Sequence, residues 1–349
     1  MKILILGASY GSLLSTKLLM AGHNVSLICR EQSANLINTE GTVVRMTLRG
    51  ESEPRLIKSG DCAGTVDAVT PENANPSDYD LIGLAMQEPQ YSAPAVKTLM
   101  RKIALSGKPC LSIMNMPPLP YLKRIPALAD IDLTGCFSDP SVWDGFNPGL
   151  VSLCSPDPQA FRPPEEKSNF LHVGLPTNFK ASAFEDDAHT EMLRQLEADI
   201  AAVTLEGNDV PVKLRVHDSL FVPLAKWSML LTGNYRCVTP TGAIAIRDAV
   251  HADIDEAAGI YSWVDSLAQK LGADAGDQVP FEKYAKAAES LLKPSSAARA
   301  IEAGTAKIER VDRVVQTIGR AIGMQLDAVD KGVATVDARL ATNKEAAAA

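Results

Sequence analysis

The chain begins with a pattern of apolar and polar positions that is typical of a βαβ unit. Residues 2–7 form a mostly apolar run that ends in Gly7, residues 11–21 carry apolar side chains at helical spacing, and residues 24–30 form a second apolar run. A strand, a glycine turn, a helix and a strand within about 30 residues define such a unit. We therefore predict strands over 2–7 and 24–30 that flank a helix over 11–21.

Strand and helix patterns continue to alternate as far as residue 115. Residues 42–49, 80–86 and 108–115 predict further strands, and residues 92–105 predict a helix. Strands that alternate with helices pack into a parallel sheet that has helices on both faces. The sequence therefore predicts an α/β fold for this part of the chain.

The second half of the chain has a helical pattern, which follows a proline-rich transition. Residues 137–180 contain seven prolines, which indicates loops and short strands. Beyond about residue 186, helical spacing predicts helices over 188–202, 217–232, 247–271, 280–292 and 296–321. The predicted domains are an α/β domain over 1–180 that includes the transition region 137–180, a mostly α-helical domain over 181–342, and a disordered tail over 343–349.

Length and charge narrow the classes of function. A chain of 349 residues is long enough for two domains. Its 34 Lys plus Arg and 42 Asp plus Glu give a net charge of −8, without a Lys/Arg-rich run, which argues against nucleic acid or an anionic membrane as a partner. No apolar stretch approaches the roughly 20 residues that span a bilayer. The six cysteines are scattered, which favours free thiols, no metal site and a cytoplasmic protein.

The turn after the first predicted strand is a candidate nucleotide site. The three-glycine fingerprint of dinucleotide-binding turns falls on Gly7, Ser9 and Ser12, and Gly11 is an additional glycine. The backbone N–H groups of such a turn face a pyrophosphate at the start of a helix. An ordinary glycine-rich turn that binds no nucleotide is the alternative. The position between a strand and a helix favours a Rossmann-type domain, whose cofactor-binding residues would be Gly7, Ser9, Tyr10, Gly11 and Ser12.

The end of the second predicted strand bears on the choice of nicotinamide cofactor. A cation at this position binds the 2′-phosphate of NADP, whereas an acidic residue binds the ribose hydroxyls of NAD. We predict NADP(H), which Arg30 favours, whereas Glu31 directly after it would favour NAD if its side chain turned inward. Gln87 and Asn115 follow two other predicted strands, and strand ends of this kind face the ligand in a parallel sheet. We therefore predict cofactor contacts at Arg30, Gln87 and Asn115.

Three segments resemble the ketopantoate reductase (2-dehydropantoate 2-reductase) family. KILILGASYGS and GHNVSLICR, which ends at Arg30, are similar to the family's cofactor-binding start. DLIGLAMQEPQYSAPAVKTLM resembles the family's fourth-strand region, with Gln87 in place of its usual lysine, and SIMNMP resembles its H-N-G motif and keeps the asparagine as Asn115. The resemblance implies an NADPH-dependent reduction of a 2-oxo acid by a Rossmann domain followed by a helical domain. By the same analogy we expect a homodimer.

The resemblance also implies catalytic residues in the helical part. The family has a catalytic lysine followed by asparagines four and eight residues later, and LAKWSMLLTGNYRCVTP places Lys226, Leu230 and Asn234 at these positions. Residues four and eight apart lie on one side of a helix. Lys226 would be catalytic and Asn234 would bind substrate. An alternative register places Ser228 at the lysine position, and Lys226 could also be a solvated charge.

A further pair of positions in the family binds substrate through a serine and a glutamate twelve residues later. Here the two positions are Ser295 and Lys307, and a shifted register would bring in Glu309. An ammonium group donates hydrogen bonds and attracts anions, whereas a carboxylate accepts them from hydroxyls. Lys307 therefore predicts a small anionic keto substrate other than ketopantoate.

Three functions remain open from the sequence. The first is an NADPH-dependent reductase in which Lys226 stabilises and protonates the developing alkoxide. The second is an opine-type dehydrogenase that reduces an imine, for which His217 and Asp218 are the candidate acid and base. The third is an NADP-binding regulator that has lost its catalytic residues.

Overall fold

The structure is a computed structural model that describes residues 1–7 and 10–348. The chain divides into two compact units: unit 1 comprises Met1–Arg124 and Ser141–Asp218, and unit 2 comprises Ile125–Pro140 and Ser219–Ala349. Each unit is described separately below.

Unit 1 holds the strands and the first five α-helices of the described chain. Its strands are β1 Lys2–Leu6, β2 Asn24–Ile28, β3 Val43–Thr47, β4 Pro54–Lys58, β5 Val66–Val69, β6 Leu81–Leu84, β7 Cys110–Ile113, β8 Val151–Ser155, β9 Gln159–Phe161, β10 Phe170–Leu175, β11 Phe179–Ser182, β12 Thr204–Leu205, β13 Asn208–Asp209 and β14 Leu214–His217. Its helices are α1 Tyr10–Met20, α2 Glu31–Glu40, α3 Pro94–Ser106, α4 Leu119–Leu122 and α5 Asp187–Ala202.

The main sheet of unit 1 has eight strands in the order β14-β11-β8-β7-β6-β1-β2-β5. The six strands from β8 to β5 pair in parallel, and their order along the chain is that of a Rossmann sheet. Strand order reverses between β1 and β6, which is where ligands bind in open α/β sheets. The predicted Rossmann-type α/β domain is therefore confirmed.

The central strands are apolar because both faces of the sheet are covered. Ile3, Leu4, Ile5 and Leu6 of β1 are each at most 1% exposed. Buried parallel strands read as continuous apolar runs rather than alternating ones, and this is the pattern that located β1 in the sequence. Ile5 pairs with Gly83 of β6, so the carboxyl ends of the two strands lie side by side.

The proline-rich region contains more regular structure than the sequence pattern indicates. It supplies β8 and β11 to the main sheet and β9 and β10 to a second sheet of order β4-β3-β10-β9. The division of the chain also differs from the predicted one at residue 180. Residues 181–218 remain in unit 1 because β14 pairs with β11, and residues 125–140 belong to unit 2.

Unit 2 is helical, as predicted. Among the residues that the structure describes, its α-helices are α6 Lys226–Met229, α7 Ile246–His251, α8 Ile254–Leu271, α9 Phe281–Ala288, α10 Ser296–Glu302, α11 Val311–Ala321 and α12 Asp327–Ala348. A 3₁₀ turn over Pro223–Ala225 precedes α6, and a π-helical turn over Leu230–Asn234 follows it.

Several predicted helix boundaries are wrong. The predicted helix over 217–232 begins too early, because residues 214–217 alternate between buried and more exposed positions and form β14. The predicted helices over 247–271 and 296–321 are each interrupted, near Asp253 and by the loop between α10 and α11. Residues 343–348 continue α12 and are not a disordered tail. No helix within residues 1–7 and 10–348 is long and apolar enough to cross a membrane.

Candidate functional site

The turn after β1 approaches the turn after β6 very closely. Gly7 has φ +99°, and a Cβ on it would lie 2.3 Å from the carbonyl oxygen of Ala85. A Cβ on Gly11 would lie 2.7 Å from Cγ2 of Ile5, so Gly11 allows α1 to pack directly on β1. Glycine is required at both positions for steric reasons, and of the two only Gly7 is a position of the Rossmann fingerprint.

Of the other predicted residues of this turn, the structure describes the side chain of Ser12. Ser12 is 6% exposed, and its carbonyl oxygen accepts a hydrogen bond of 2.9 Å from the Thr16 hydroxyl. Ser9 and the Tyr10 side chain lie outside the part of the chain that the structure describes. Gly11, which the sequence fingerprint did not require, allows the close packing of α1 on β1.

Two of the predicted polar residues lie at the carboxyl edge of the sheet. Gln87 is exposed and precedes a 3₁₀ turn over Glu88–Ser92. Asn115, two residues beyond β7, is half-buried, and its Oδ1 atom is buried without a hydrogen-bond partner in the described chain. A buried amide oxygen normally has a donor, because leaving it unsatisfied costs about 1–3 kcal/mol. Asn115 is thus ready to accept a hydrogen bond from a ligand.

Charged side chains of both signs lie where β2 ends. Arg30 and Glu31 are both exposed there, at the start of α2. Burial raises the pKa of the neighbouring Cys29 thiol to about 11, and the charge of Arg162 acts against this rise. The hydroxyls of Ser33 and Ser168 are 3.5 Å apart, which places the segment after β9 against α2. Arg162 is far from Arg30 in sequence, so no sequence pattern identified it.

In unit 2, the structure separates the two candidates for the catalytic position. Ser228 is fully buried, and its hydroxyl donates a hydrogen bond of 2.5 Å to the carboxylate of Asp265 on α8. Burial raises the pKa of this carboxyl group. Lys226 is half-buried on another side of the same helix. Ser228 therefore joins two helices in the core of unit 2.

The predicted substrate residues Asn234 and Ser295 are in direct contact. The Ser295 hydroxyl donates to the carbonyl oxygen of Asn234 at 2.7 Å and accepts from the backbone N–H of Ala298 at 3.1 Å, as the N-cap of α10. Ser295 is 2% exposed, whereas Asn234 is half-buried. The apolar residue between Lys226 and Asn234, Leu230, is 4% exposed.

The segment that contains Lys307 and Glu309 is held by Tyr235, which directly follows the π-helical turn over Leu230–Asn234. The Tyr235 hydroxyl donates to the carbonyl oxygen of Glu309 at 2.6 Å and accepts from the backbone N–H of Val311 at 3.0 Å. Lys307 itself is exposed, and Glu309 is half-buried. Sequence reasoning missed Tyr235, although it directly follows Asn234.

The acid–base pair considered for an imine reductase is arranged differently from its prediction. His217 ends β14 and Asp218 follows it, so neither lies on a helix. Asp218 is in an ion pair with Arg194 of α5, at 2.5 Å. This arrangement gives Asp218 a partner on the surface of unit 1.

The fold is shared with solved structures at low sequence identity. A protein from Ralstonia solanacearum assigned as a ketopantoate reductase matches with a TM-score of 0.71 at 15% identity, over 98% of each chain. D-mandelate dehydrogenase, in a complex with NADH and anilino(oxo)acetate, matches with a TM-score of 0.64 at 14% identity, over 99% of each chain. A dimeric ketopantoate reductase from Staphylococcus aureus matches with a TM-score of 0.62 at 11% identity, over 98% of this chain and 100% of that one.

These matches extend over nearly the full length of the chain. They show that the chain has the ketopantoate reductase fold, as the resemblance in its sequence implied. No protein-family model matches the sequence, and a comparison with curated proteins gives no match.

Proposed function

We propose that the protein is a divergent ketopantoate reductase-like enzyme, which uses a nicotinamide cofactor to reduce the carbonyl group of a small 2-oxo acid. The observation that carries the proposal is the Lys226/Asn234 pair, kept on one helix in a chain that has this fold over its whole length. The fold alone does not define an activity, because one fold can hold many sites. In addition to the fold, the reaction requires a proton donor, and Lys226 is the candidate.

The residues of unit 1 fit a dinucleotide. Gly7 and Gly11 keep the turn free of side chains at the point where strand order reverses, so a pyrophosphate could approach the start of α1. Asn115 offers the unsatisfied amide oxygen, which suits the N–H groups of a nicotinamide amide or a ribose hydroxyl. Gln87, exposed at the same edge, is a second candidate for such a contact.

The cofactor proposed is NADP(H). Arg30 is exposed at the end of β2, where the ribose of the adenosine lies in this fold class. Its planar guanidinium suits a phosphate, and Arg162 adds a second positive charge near the same strand end. Glu31 is the competing residue and would favour NAD if its carboxylate turned toward the ribose.

When bound, the nicotinamide supplies the hydride. Negative charge then develops on the carbonyl oxygen of the substrate, and a positioned cation that can also donate a proton stabilises it. We assign this role to the Lys226 ammonium group. Asn234 would hold the substrate through its side-chain amide, and Ser295 would keep Asn234 in place through the bond to its carbonyl oxygen. Lys307, which is exposed, would attract a second anionic group.

The proposed substrate is a small anionic 2-oxo acid other than ketopantoate. Leu230 stands where the family resemblance places an asparagine, and Lys307 stands where it places a glutamate. Leucine has no hydrogen-bonding group in its side chain, and the ammonium group of a lysine cannot accept a hydrogen bond from a hydroxyl. We propose that the enzyme is a cytoplasmic homodimer, by analogy with the dimeric neighbour of the same fold.

Consumption of NADPH by the purified protein tests the proposal. A panel of 2-oxo acids, including ketopantoate and an aromatic oxo acid, is offered with NADPH or NADH, with and without an added amino acid. We expect turnover that requires no amine and prefers NADPH. Turnover only with the amine would indicate the imine reductase instead. Tight NADPH binding without turnover of any member would indicate the regulator.

A further inference from the structure

The helix that begins at Lys226 continues into one π turn, Leu230–Asn234, whose last residue is Asn234. The backbone N–H of Tyr235 donates to the carbonyl oxygen of Leu230 at 3.0 Å, a bond over five residues instead of four. Such turns insert one residue into an α-helix and are frequent at functional sites. The insertion changes the angle between the residues on either side of it.

The change of angle brings Lys226 and Asn234 into line. Eight residues of regular α-helix, at about 100° each, would set two side chains roughly 80° apart, whereas one inserted residue reduces the offset to about 20°. Lys226 and Asn234 are half-buried, as is Met229, whereas Leu230 through Gly233 are buried. The lysine and the asparagine are therefore presented on one side by the π turn.

A tyrosine from another helix, Tyr284, packs against this turn beside Met229 and Gly233, a contact termed the wedge. Tyr284 of α9 donates its hydroxyl to the carbonyl oxygen of Met229 at 3.1 Å. A Cβ on Gly233 would lie 2.0 Å from the same hydroxyl oxygen, so only glycine leaves room for the phenol. The Tyr284 ring is 7% exposed and stacks on Tyr261, with ring centroids 5.6 Å apart.

We infer that Tyr284 and Gly233 are positioning residues, which hold the π turn and thereby align Lys226 with Asn234 for the reaction. The inference rests on the proposed function for the meaning of the alignment, but the wedge itself is a feature of unit 2. The sequence offers a signal for it, because Gly233 stands directly before Asn234, at the end of the predicted helix over 217–232. That signal reads equally well as a helix end.

Tyr261 supplies a matched control for the loss of a buried phenol hydroxyl. Its hydroxyl donates to the carbonyl oxygen of Val279 at 2.8 Å, and its ring belongs to the same stack, but within the described chain it has no hydrogen bond to the π turn or to Met229. Tyr284→Phe and Tyr261→Phe thus each remove one hydroxyl from the same cluster. Gly233→Ala is a second route to disturb the wedge, because it displaces the Tyr284 hydroxyl.

The experiment compares crystal structures, kcat, the KM for NADPH and the pH profile of kcat for the wild type and these three variants. We expect Tyr284→Phe and Gly233→Ala to convert the π turn to an α-helix, to lower kcat about tenfold or more, to shift the limb of the pH profile that requires protonated Lys226, and to leave the KM for NADPH within twofold. Tyr261→Phe should keep the π turn, kcat and the pH profile.

Two results would overturn the inference: a π turn that persists in both wedge variants, or a π turn that is lost while kcat and the pH profile stay those of the wild type. A wild-type protein that reduces no oxo acid would instead overturn the proposed function. In that case the structures of the variants would still decide whether Tyr284 and Gly233 hold the π turn.

Discussion

The Ser228 hydroxyl donates a hydrogen bond of 2.5 Å to the half-buried carboxylate of Asp265, which turns Ser228 into the core of unit 2. Lys226, two residues earlier, consequently projects on a different side of the helix. The two registers that the sequence left open therefore make different predictions for mutants at the two positions.

Lys226→Met should lower kcat by about 10²–10⁴-fold, the usual contribution of a positioned proton donor, and leave the dissociation constant for NADPH unchanged. Ser228→Ala should keep kcat within about threefold and lower the free energy of unfolding by roughly 1–3 kcal/mol, because the Asp265 carboxyl loses its buried donor. Steady-state kinetics, cofactor titration and urea unfolding distinguish them. Full turnover of Lys226→Met would remove the lysine from the mechanism.

Cofactor preference should depend on Arg30. Arg30→Ala should raise the KM for NADPH about 10–100-fold, the equivalent of one charge-assisted contact of roughly 1.5–3 kcal/mol, and leave the KM for NADH nearly unchanged. Arg162→Ala should have a smaller effect in the same direction. Glu31→Gln is the matched variant, and it should not weaken NADPH binding. If Glu31→Gln instead weakened NADH binding while Arg30→Ala had no effect, the preferred cofactor would be NAD.

The contact between Ser295 and Asn234 should be visible as a linked loss of stability and substrate affinity. Ser295→Ala removes an N-cap and should lower the free energy of unfolding by about 1 kcal/mol. It should also raise the KM for the oxo acid, because the Asn234 backbone loses its donor. Ser296→Ala changes the exposed neighbour in the same helix and should affect neither quantity. Equal effects of the two substitutions on KM would contradict a specific role for Ser295.

The sequence predicted unit 1 better than unit 2, which is proposed to carry the chemistry. Ile3 to Leu6 and Gly7 form a strand and turn whose local pattern allows few alternatives, and the predicted sheet followed from it. The predicted helix over 217–232 begins too early because β14, Leu214–His217, is a strand of only four residues with buried Leu214 and Val216. Such a short alternation is not distinguishable from the start of an amphipathic helix.

Contacts between residues distant in sequence could not be predicted. Tyr284 donates to the carbonyl oxygen of Met229 beside the π turn, and the charge of Arg162 acts on Cys29 at the end of β2. Neither partner is marked by a local motif. The fingerprint likewise places its third glycine at Ser12, whereas Gly11 makes the close approach to β1. A helix–sheet contact of this kind is set by tertiary packing.

A buried lysine gives unit 1 a specific dependence of stability on pH. Lys17 of α1 donates to the carbonyl oxygens of Val210 and Pro211, and burial together with the charge of Lys213 lowers its pKa from 10.5 to about 7. Between these two pH values the unfolded chain binds more protons than the folded one, so stability attributable to Lys17 rises with pH and reaches its lowest value below pH 7.

Lys17→Met should therefore remove a slope of up to about 1.4 kcal/mol per pH unit from the free energy of unfolding above pH 7. Urea unfolding at several pH values between 6 and 9 would measure this slope. Lys58→Met, at an exposed position of β4, is the control and should retain the slope of the wild type. Parallel stability profiles for the wild type and Lys17→Met would contradict the lowered pKa.

The account as a whole is tested most directly by following the hydride. NADPH labelled with deuterium on the transferred position is incubated with the protein and the oxo acids that it turns over, and the products are analysed by mass spectrometry. The account predicts a 2-hydroxy acid that carries one deuterium on its hydroxyl-bearing carbon, without any amine in the reaction. An unlabelled product, or a label found only in a secondary amine formed from an added amino acid, would contradict it.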